Sequence, residues 1–331
     1  MTFLRSGWRL LLGALSVAVL TLVIVYFAFP EYLLQALTAS ARYSAGLERK
    51  SVEADGHSIA YLEGGRGPTV VLLHGFGATK DLWDGVAAYL SPEYQVVIPD
   101  IPGFGESPAL AGESYDAQSQ ARRLHAFLAK IGVNNLHIGG NSMGGMIAVT
   151  YAAIYPKDVL SLLISAAPGL AARVTSDVEQ LIESGANPFV IRNEADLDRL
   201  FQMAFFQAPS IPGPFKRVMV QDALKREATY LRIFEDLDLI HPEKAPLEKL
   251  LPDISSPTLI TWGAHDGLVH PSTAETFAAG IPGAEVTIFE DCGHALPREC
   301  PDAMAQRYIT FLSSISPTDR TANSATNGND K

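Results

Sequence analysis

The sequence predicts an α/β protein with a mostly parallel central sheet flanked by helices, a helical cap insertion and an N-terminal transmembrane helix. Three observations carry that expectation. Short apolar runs alternate with helix-like segments, a lone serine stands in a G-x-S-x-G turn directly after one such run, and twenty uncharged residues precede the whole pattern.

The uncharged stretch is Leu10 to Phe29, with Arg5 and Arg9 before it and Pro30 behind. Twenty residues of helix span about 30 Å, the hydrocarbon thickness of a bilayer. A cleaved signal peptide has an apolar region of roughly 7–15 residues with a small-residue site close behind. Here the nearest such site, Ala39-Ser40-Ala41, lies well past Pro30. Residues 1–30 therefore read as a tail and an uncleaved single-pass anchor. Arg5 and Arg9 argue for a cytoplasmic N-terminus, which puts the folded domain on the non-cytoplasmic (periplasmic) side, while Arg42, Arg49 and Lys50 pull against that orientation. Trp8 and Tyr26 suit the two interfaces. Ala14 and Ala18 form a small-xxx-small pair through which two anchors can make a homodimer. Residues 31–50 read as a juxtamembrane amphipathic helix with Leu33, Leu34, Leu37 and Ala41 on one side, suited either to the membrane surface or to packing on the domain.

The core is expected over 51–168 and 251–315. Its strand candidates are 69–75, 94–99, 135–140, 160–165, 258–263 and 285–289, continuous apolar runs of the kind found in sheets buried on both faces. Helix-like segments at 80–90, 117–131, 143–155 and 272–279 separate them. Such alternation predicts an open, doubly wound sheet with its chemistry at the C-terminal ends of the strands. Residues 169–250 break the rhythm with helical pattern alone and read as a cap over those ends. Residues 316–331 are polar and are expected to be a disordered tail.

Composition excludes some classes. A 331-residue chain that is 47% hydrophobic has a substantial core, and a net charge of −11 without any run of Lys or Arg gives no nucleic-acid partner. Cys292 and Cys300 have no metal-ligand spacing, so no metal site is expected. Free buried thiols are the commoner reading for such a pair, with a bridge open to them in an oxidising compartment.

The stretch GGNSMGG, Gly139 to Gly145, follows the apolar run Leu136-His137-Ile138 and matches G-x-S-x-G at Gly140, Ser142 and Gly144. A serine hydroxyl is a poor nucleophile at neutral pH, so it needs a base, and the base needs an acid to orient it. Asp266 in TLITWGAHDGLVH and His294 in EVTIFEDCGHALP each stand just past a strand candidate, in the chain order Ser, Asp, His. Ser142, Asp266 and His294 are the expected catalytic residues. His265 and His270 are rival bases but do not follow the last strand. Asp291 is a rival acid too close in sequence to approach the ring of His294 from behind. Asp100 reads as a structural residue fixing a loop, and His74 as one shaping a turn. An oxyanion needs backbone N–H donors, each contributing roughly 3 kcal/mol. Met143, opening the helix after the serine, and Phe76, in the loop HGFGATKDLW, are the expected pair.

LLHGFGATKDLW, DIPGFGES, GGNSMGGMIA, YPKDVLSLLISAAPG, WGAHDGLV and EDCGHALPRECP together resemble the α/β-hydrolase superfamily. With the anchor they resemble its membrane-anchored monoacylglycerol lipases and related bacterial glycerophospholipases. The similarity spans about 51–313, with one departure: many relatives carry histidine where this chain has Asn141. The resemblance implies the α/β-hydrolase fold and hydrolysis of carboxylic esters without metal or organic cofactor.

For the substrate, the cap segment 198–215 is rich in phenylalanine. Part of it must be the cap's own core. Phe201, Phe205, Phe206 and Phe215 are the candidates to line an acyl-chain channel. A tether at a bilayer adds to this, so the expected partners are the bilayer and a lipid ester: a monoacylglycerol, lysophospholipid or glycerophospholipid. The alternatives are an enzyme of soluble esters or carbon–carbon bonds, and a non-catalytic membrane-bound partner-binding protein. A dehalogenase or epoxide hydrolase would need an aspartate where Ser142 stands.

Overall fold

Strands β1 (Leu47–Ala54), β2 (His57–Gly64), β3 (Thr69–Leu73), β4 (Gln95–Pro99), β5 (Leu136–Asn141), β6 (Val159–Ser165), β7 (Thr258–Gly263) and β8 (Glu285–Phe289) form one sheet in the order β1-β2-β4-β3-β5-β6-β7-β8. The computed structural model describes residues 2–170, 172–238 and 247–315, with side chains from Leu12 onward. From β4 across to β8 every pairing is parallel. β2 runs antiparallel to both β1 and β4. β5 and β7 are buried at every position, which is why their sequences are continuous rather than alternating.

The first two strands are absent from the sequence-based expectation, which starts the sheet at Ser51 rather than Leu47. The reason is β1 itself: LERKSVEA is an edge strand, mostly exposed and charged. A usable signal was the dipeptide Asp55-Gly56, whose positive φ values of 50° and 74° make the tight hairpin turn between the two strands.

Helices α1 (Thr2–Ala28) and α2 (Pro30–Ser44) open the chain. α3 (Asp84–Leu90), entered through a 3-10 turn at Lys80–Trp83, α4 (Ala117–Lys130) and α5 (Met143–Ile154) cover the sheet. The cap follows β6 as α6 (Asp177–Glu183), α7 (Glu194–Ala204) and the long α8 (Gly213–Leu237). α9 (Leu247–Leu250), α10 (Thr273–Gly280), α11 (Leu296–Glu299) and α12 (Pro301–Ser314) complete the chain. Both α6 and α7 begin with capping boxes, Ser176 with Glu179 and Asn193 with Asp196, which satisfy N–H groups that have no carbonyl in the first turn. Trp83 is wholly buried, and its indole N–H donates to Leu73 O at 3.0 Å. Parts of the expected cap (Ala171 and 239–246) and the expected disordered tail (316–331) lie outside the described residues.

α1 and α2 meet at a bend of 101°. Among the described residues no single helix is long and apolar enough to cross a membrane, although the bent pair Leu12–Ala28 and Pro30–Ser44 passes by length and composition. From Leu12 to Phe29 large apolar side chains stand bare, Leu15 and Phe27 each at 61% exposure. α2 instead leans on the domain against α3, α8 and β1. Leu33, Leu34 and Ala41 are half-buried, whereas Leu37 is exposed. Arg42 fixes this seat with a two-pronged pair to Asp81, at 2.5 and 2.8 Å.

Candidate active site

Between the last residue of β5 and the first of α5 there is only Ser142, at φ 57° and ψ −126°. A non-glycine residue in this region is strained by about 1–3 kcal/mol, a cost that such turns carry in order to present a side chain. The flanking glycines make the turn possible. A Cβ on Gly140 would lie 2.1 Å from Gly144 O, and one on Gly144 would lie 2.4 Å from Leu73 O. Ser142 itself is held by its N–H, which donates to Ser165 O at 2.8 Å.

The loops after β7 and β8 bring Asp266 and His294 together. His294 Nδ1 and Asp266 Oδ2 are 2.8 Å apart, and both residues are buried. The other carboxylate oxygen, Oδ1, accepts the N–H groups of Leu268 and Val269, each at 2.9 Å. With Nδ1–H donating to the carboxylate, Nε2 is left with its lone pair, the form that accepts a proton. Asn141 adds a direct link, because its amide donates to His294 O at 3.1 Å and joins the strand of the serine to the loop of the histidine. Ser142 Oγ takes no hydrogen bond among the described residues. Gly75 abuts the serine, since a Cβ there would lie 3.1 Å from Ser142 Cβ. Phe76, next in that loop, is half-buried, and Met143 is wholly buried at the first position of α5, where its N–H has no intrahelical partner.

The rivals are occupied elsewhere. His265 stacks on Phe206 with ring centroids 4.0 Å apart, and His270 Nδ1 lies 3.0 Å from Ser272 Oγ. Asp291 is exposed. His74 accepts the N–H of Ile101 at Nε2, and burial holds its imidazole below the ordinary value, so it is neutral. Asp100 takes the ammonium of the buried Lys80 at 2.7 Å together with the N–H groups of Lys80 and Glu106. Lys80 also bonds Glu106 at 2.7 Å. Desolvation alone would raise the Glu106 carboxyl, but bonds to Arg49 and Lys80 pull it down to about 2.

A narrow cleft of about 20 Å³ lies between Phe76 and the cap, walled mainly by Phe189, Ile191, Ala223, Tyr230 and Phe234, with Asn187 and Glu227 as its polar positions. The ring of Phe76 meets those of Phe189, Tyr230 and Phe234 at 5.5–5.6 Å. None of the four phenylalanines expected to line an acyl channel is in the wall of this cleft. Phe201 packs with Ile191, Leu197 and Val220 inside the cap, and Phe205 with Val178, Ala204 and Leu268 where the cap meets the loop after β7. Phe206 covers His265, and Phe215 meets Tyr26 of α1 at 5.9 Å. The cleft wall was legible as a stripe on α8, where Ala223, Glu227, Tyr230, Leu231 and Phe234 recur at helical spacing. Phenylalanine density in 198–215 outweighed it.

Cys292 and Cys300 form a disulfide, against the expectation of free thiols. The short α11 turns the chain back, leaving the two Cα atoms 6.4 Å apart, within bridging distance. That turn carries no signature in residue spacing.

Residues 70–307 match the model of the alpha/beta hydrolase family. The chain belongs to that family. Among its relatives, Lipase 1 of Psychrobacter immobilis is 35% identical over 82% of this chain and 86% of its own. Monoacylglycerol lipase ABHD6 of Homo sapiens is 27% identical over 93% of this chain and 94% of its own. The crystal structure of a membrane phospholipase A, a bacterial virulence factor, superposes with a TM-score of 0.83 at 40% identity, covering 93% of this chain and 98% of that one. This hydrolase is thus of the lipase/esterase type, acting on carboxylic esters.

Proposed function

We propose that this hydrolase is a membrane-anchored serine lipase that cleaves the ester bonds of monoacylglycerols, lysophospholipids or glycerophospholipids through Ser142, His294 and Asp266. The observation that carries the proposal is the buried Asp266–His294 pair, tied through Asn141 to the strained serine. Ser142 Oγ attacks the ester carbonyl carbon while His294 Nε2 takes its proton. The N–H groups of Met143 and Phe76 receive the oxyanion. The tetrahedral carbon collapses, the alcohol leaves with the proton from His294, and the acyl group stays on Oγ. Water, deprotonated by His294, then releases the fatty acid and restores the serine. The hydrogen bond from Ser142 Oγ to His294 Nε2 forms when substrate closes the site, as catalytic hydrogen bonds often tighten only on binding.

The lipid assignment is supported by the relatives named as lipases and phospholipase, and by the mainly aromatic and aliphatic wall of the cleft beside Phe76. The anchor role of α1 is supported by its bare apolar surface and by Tyr26, which braces the start of α8 and so brings the cap next to the bilayer. In this arrangement the N-terminus is cytoplasmic, the domain is periplasmic, and Ala14 with Ala18 pairs two anchors. The test uses two proteins. Ser142→Ala is expected to abolish ester hydrolysis with expression and membrane association unchanged; hydrolysis near the wild-type rate would remove the nucleophile. Deletion of residues 1–30 is expected to spare activity on a short soluble ester and to slow hydrolysis of vesicle phospholipid. Equal vesicle rates with and without the segment would overturn the membrane reading.

A further inference from the structure

Glu299 takes no part in the chemistry above, yet its carboxylate joins two separate segments beside the base. Oε1 accepts the N–H of Gly293, the residue before His294, at 2.7 Å. Both oxygens lie 3.1 Å from the N–H of Phe206, just past the end of α7. Main-chain bonds run alongside. Ala204 O accepts the N–H groups of His294 at 2.7 Å and Ala295 at 3.3 Å, and Met203 O accepts that of Gly267, next to Asp266, at 3.1 Å. The contact is close: a Cβ on Gly293 would lie 2.7 Å from both Ala204 O and Phe206 N. Residues 203–206 of the cap thus touch the acid's loop and the base's loop together.

We propose that Glu299 is a positioning residue for His294, its ionised carboxylate clamping the base loop to cap residues 203–206 so that the imidazole faces Ser142 at a fixed depth. The role rests on His294 being the base.

The clamp is charge-dependent. Burial raises the Glu299 carboxyl above its ordinary value, with Asp266 adding to this while the N–H groups of Gly293 and Phe206 and the ring of His265 oppose it. The charged and titratable groups acting on it are therefore His265 and Asp266 on the loop after β7; cap residues 203–206 carry none. The ionised form accepts both N–H groups, so the clamp is complete above the raised value and weakens as pH falls through it. Protonation of Glu299 then contributes to the acid limb of the rate.

The test is hydrolysis of a short soluble ester across pH, with rates expressed per active site titrated by a fluorophosphonate. Glu299→Gln keeps the size and one acceptor oxygen, and is expected to lower kcat about tenfold, with KM within about twofold and an unchanged thermal midpoint. Glu299→Ala is expected to lower kcat about a hundredfold, the scale of a 1 Å misplacement. Should the alanine variant not fold, the glutamine variant carries the test alone. The ratio of wild-type to Glu299→Gln kcat should fall from about tenfold at neutral pH toward one as pH drops through the Glu299 transition. Wild-type kcat per titrated site in the glutamine variant, or identical acid limbs, would overturn the proposal. Failure of the fluorophosphonate to label the wild-type protein would instead count against Ser142 and His294 themselves, so the two failures are distinguishable.

Discussion

Asp266→Asn is expected to leave the fold intact and remove nearly all activity, and the structure allows the size of the loss to be worked out. The asparagine has two orientations. In one, its oxygen stays on the N–H groups of Leu268 and Val269, both 2.9 Å from the native Oδ1, and its NH2 faces His294 Nδ1. In the other, its oxygen accepts from Nδ1–H, but the NH2 then confronts those two N–H donors. The second orientation forfeits two buried hydrogen bonds and leaves donors unsatisfied, about 1–3 kcal/mol each. The first costs only a change of imidazole tautomer, so it prevails. In it Nε2 carries the proton and cannot accept one from Ser142. A wrong tautomer in a serine triad lowers the rate about 10⁴-fold, equivalent to about 5.4 kcal/mol of activation free energy. The assay is steady-state hydrolysis of a soluble ester beside thermal unfolding of the same preparation. A loss of less than tenfold with an unchanged midpoint would refute the reasoning and move the acid elsewhere, Asp291 first.

Gly144→Ala is expected to destabilise the protein by about 1–3 kcal/mol and to depress activity, since the new Cβ would lie 2.4 Å from Leu73 O and 2.6 Å from His74 O; a wild-type urea midpoint would count against the close approach. Glu106→Gln should lower the thermal midpoint at pH 7. The carboxyl is depressed from 4.5 to about 2, so the wild-type advantage is complete above 4.5 and disappears as pH falls through about 2. A gap that does not change with pH would exclude this ionisation as its source. Ala223→Phe fills the cleft from α8 and should shift preference toward shorter acyl chains with little change for the shortest; an unchanged chain-length profile would show that acyl chains bind elsewhere.

The parallel part of the sheet was legible because strands buried on both faces are mainly apolar rather than alternating, and β3 to β7 are. The same rule hid β1, which is charged because it lies at an edge. Ser142, Asp266 and His294 stood out as side chains whose chemistry requires a fixed order and a position just past a strand. The pairing of Asp266 with His294 follows from where β7 and β8 end. What stayed illegible depends on how loops fold back. The bridge between Cys292 and Cys300 needs the turn of α11, and the bond from Asn141 to His294 O spans 153 residues. The separation of the cap's own core from the cleft wall needs the rotation of α8, which places Phe234 and Tyr230 against Phe76 while Phe201 faces Phe205.

Phe76 is present twice, as a ring in the wall of the cleft and as the amide proposed to meet the oxyanion. A ligand that presses on the ring therefore pushes on its own transition-state donor. Fit along the chain and speed at the carbonyl become one mechanical variable at this residue, whereas Ala223 across the cleft touches only the fit. Re-tuning of chain preference, by design or by drift, is thus confined to the α8 side of the cleft if turnover is to be kept.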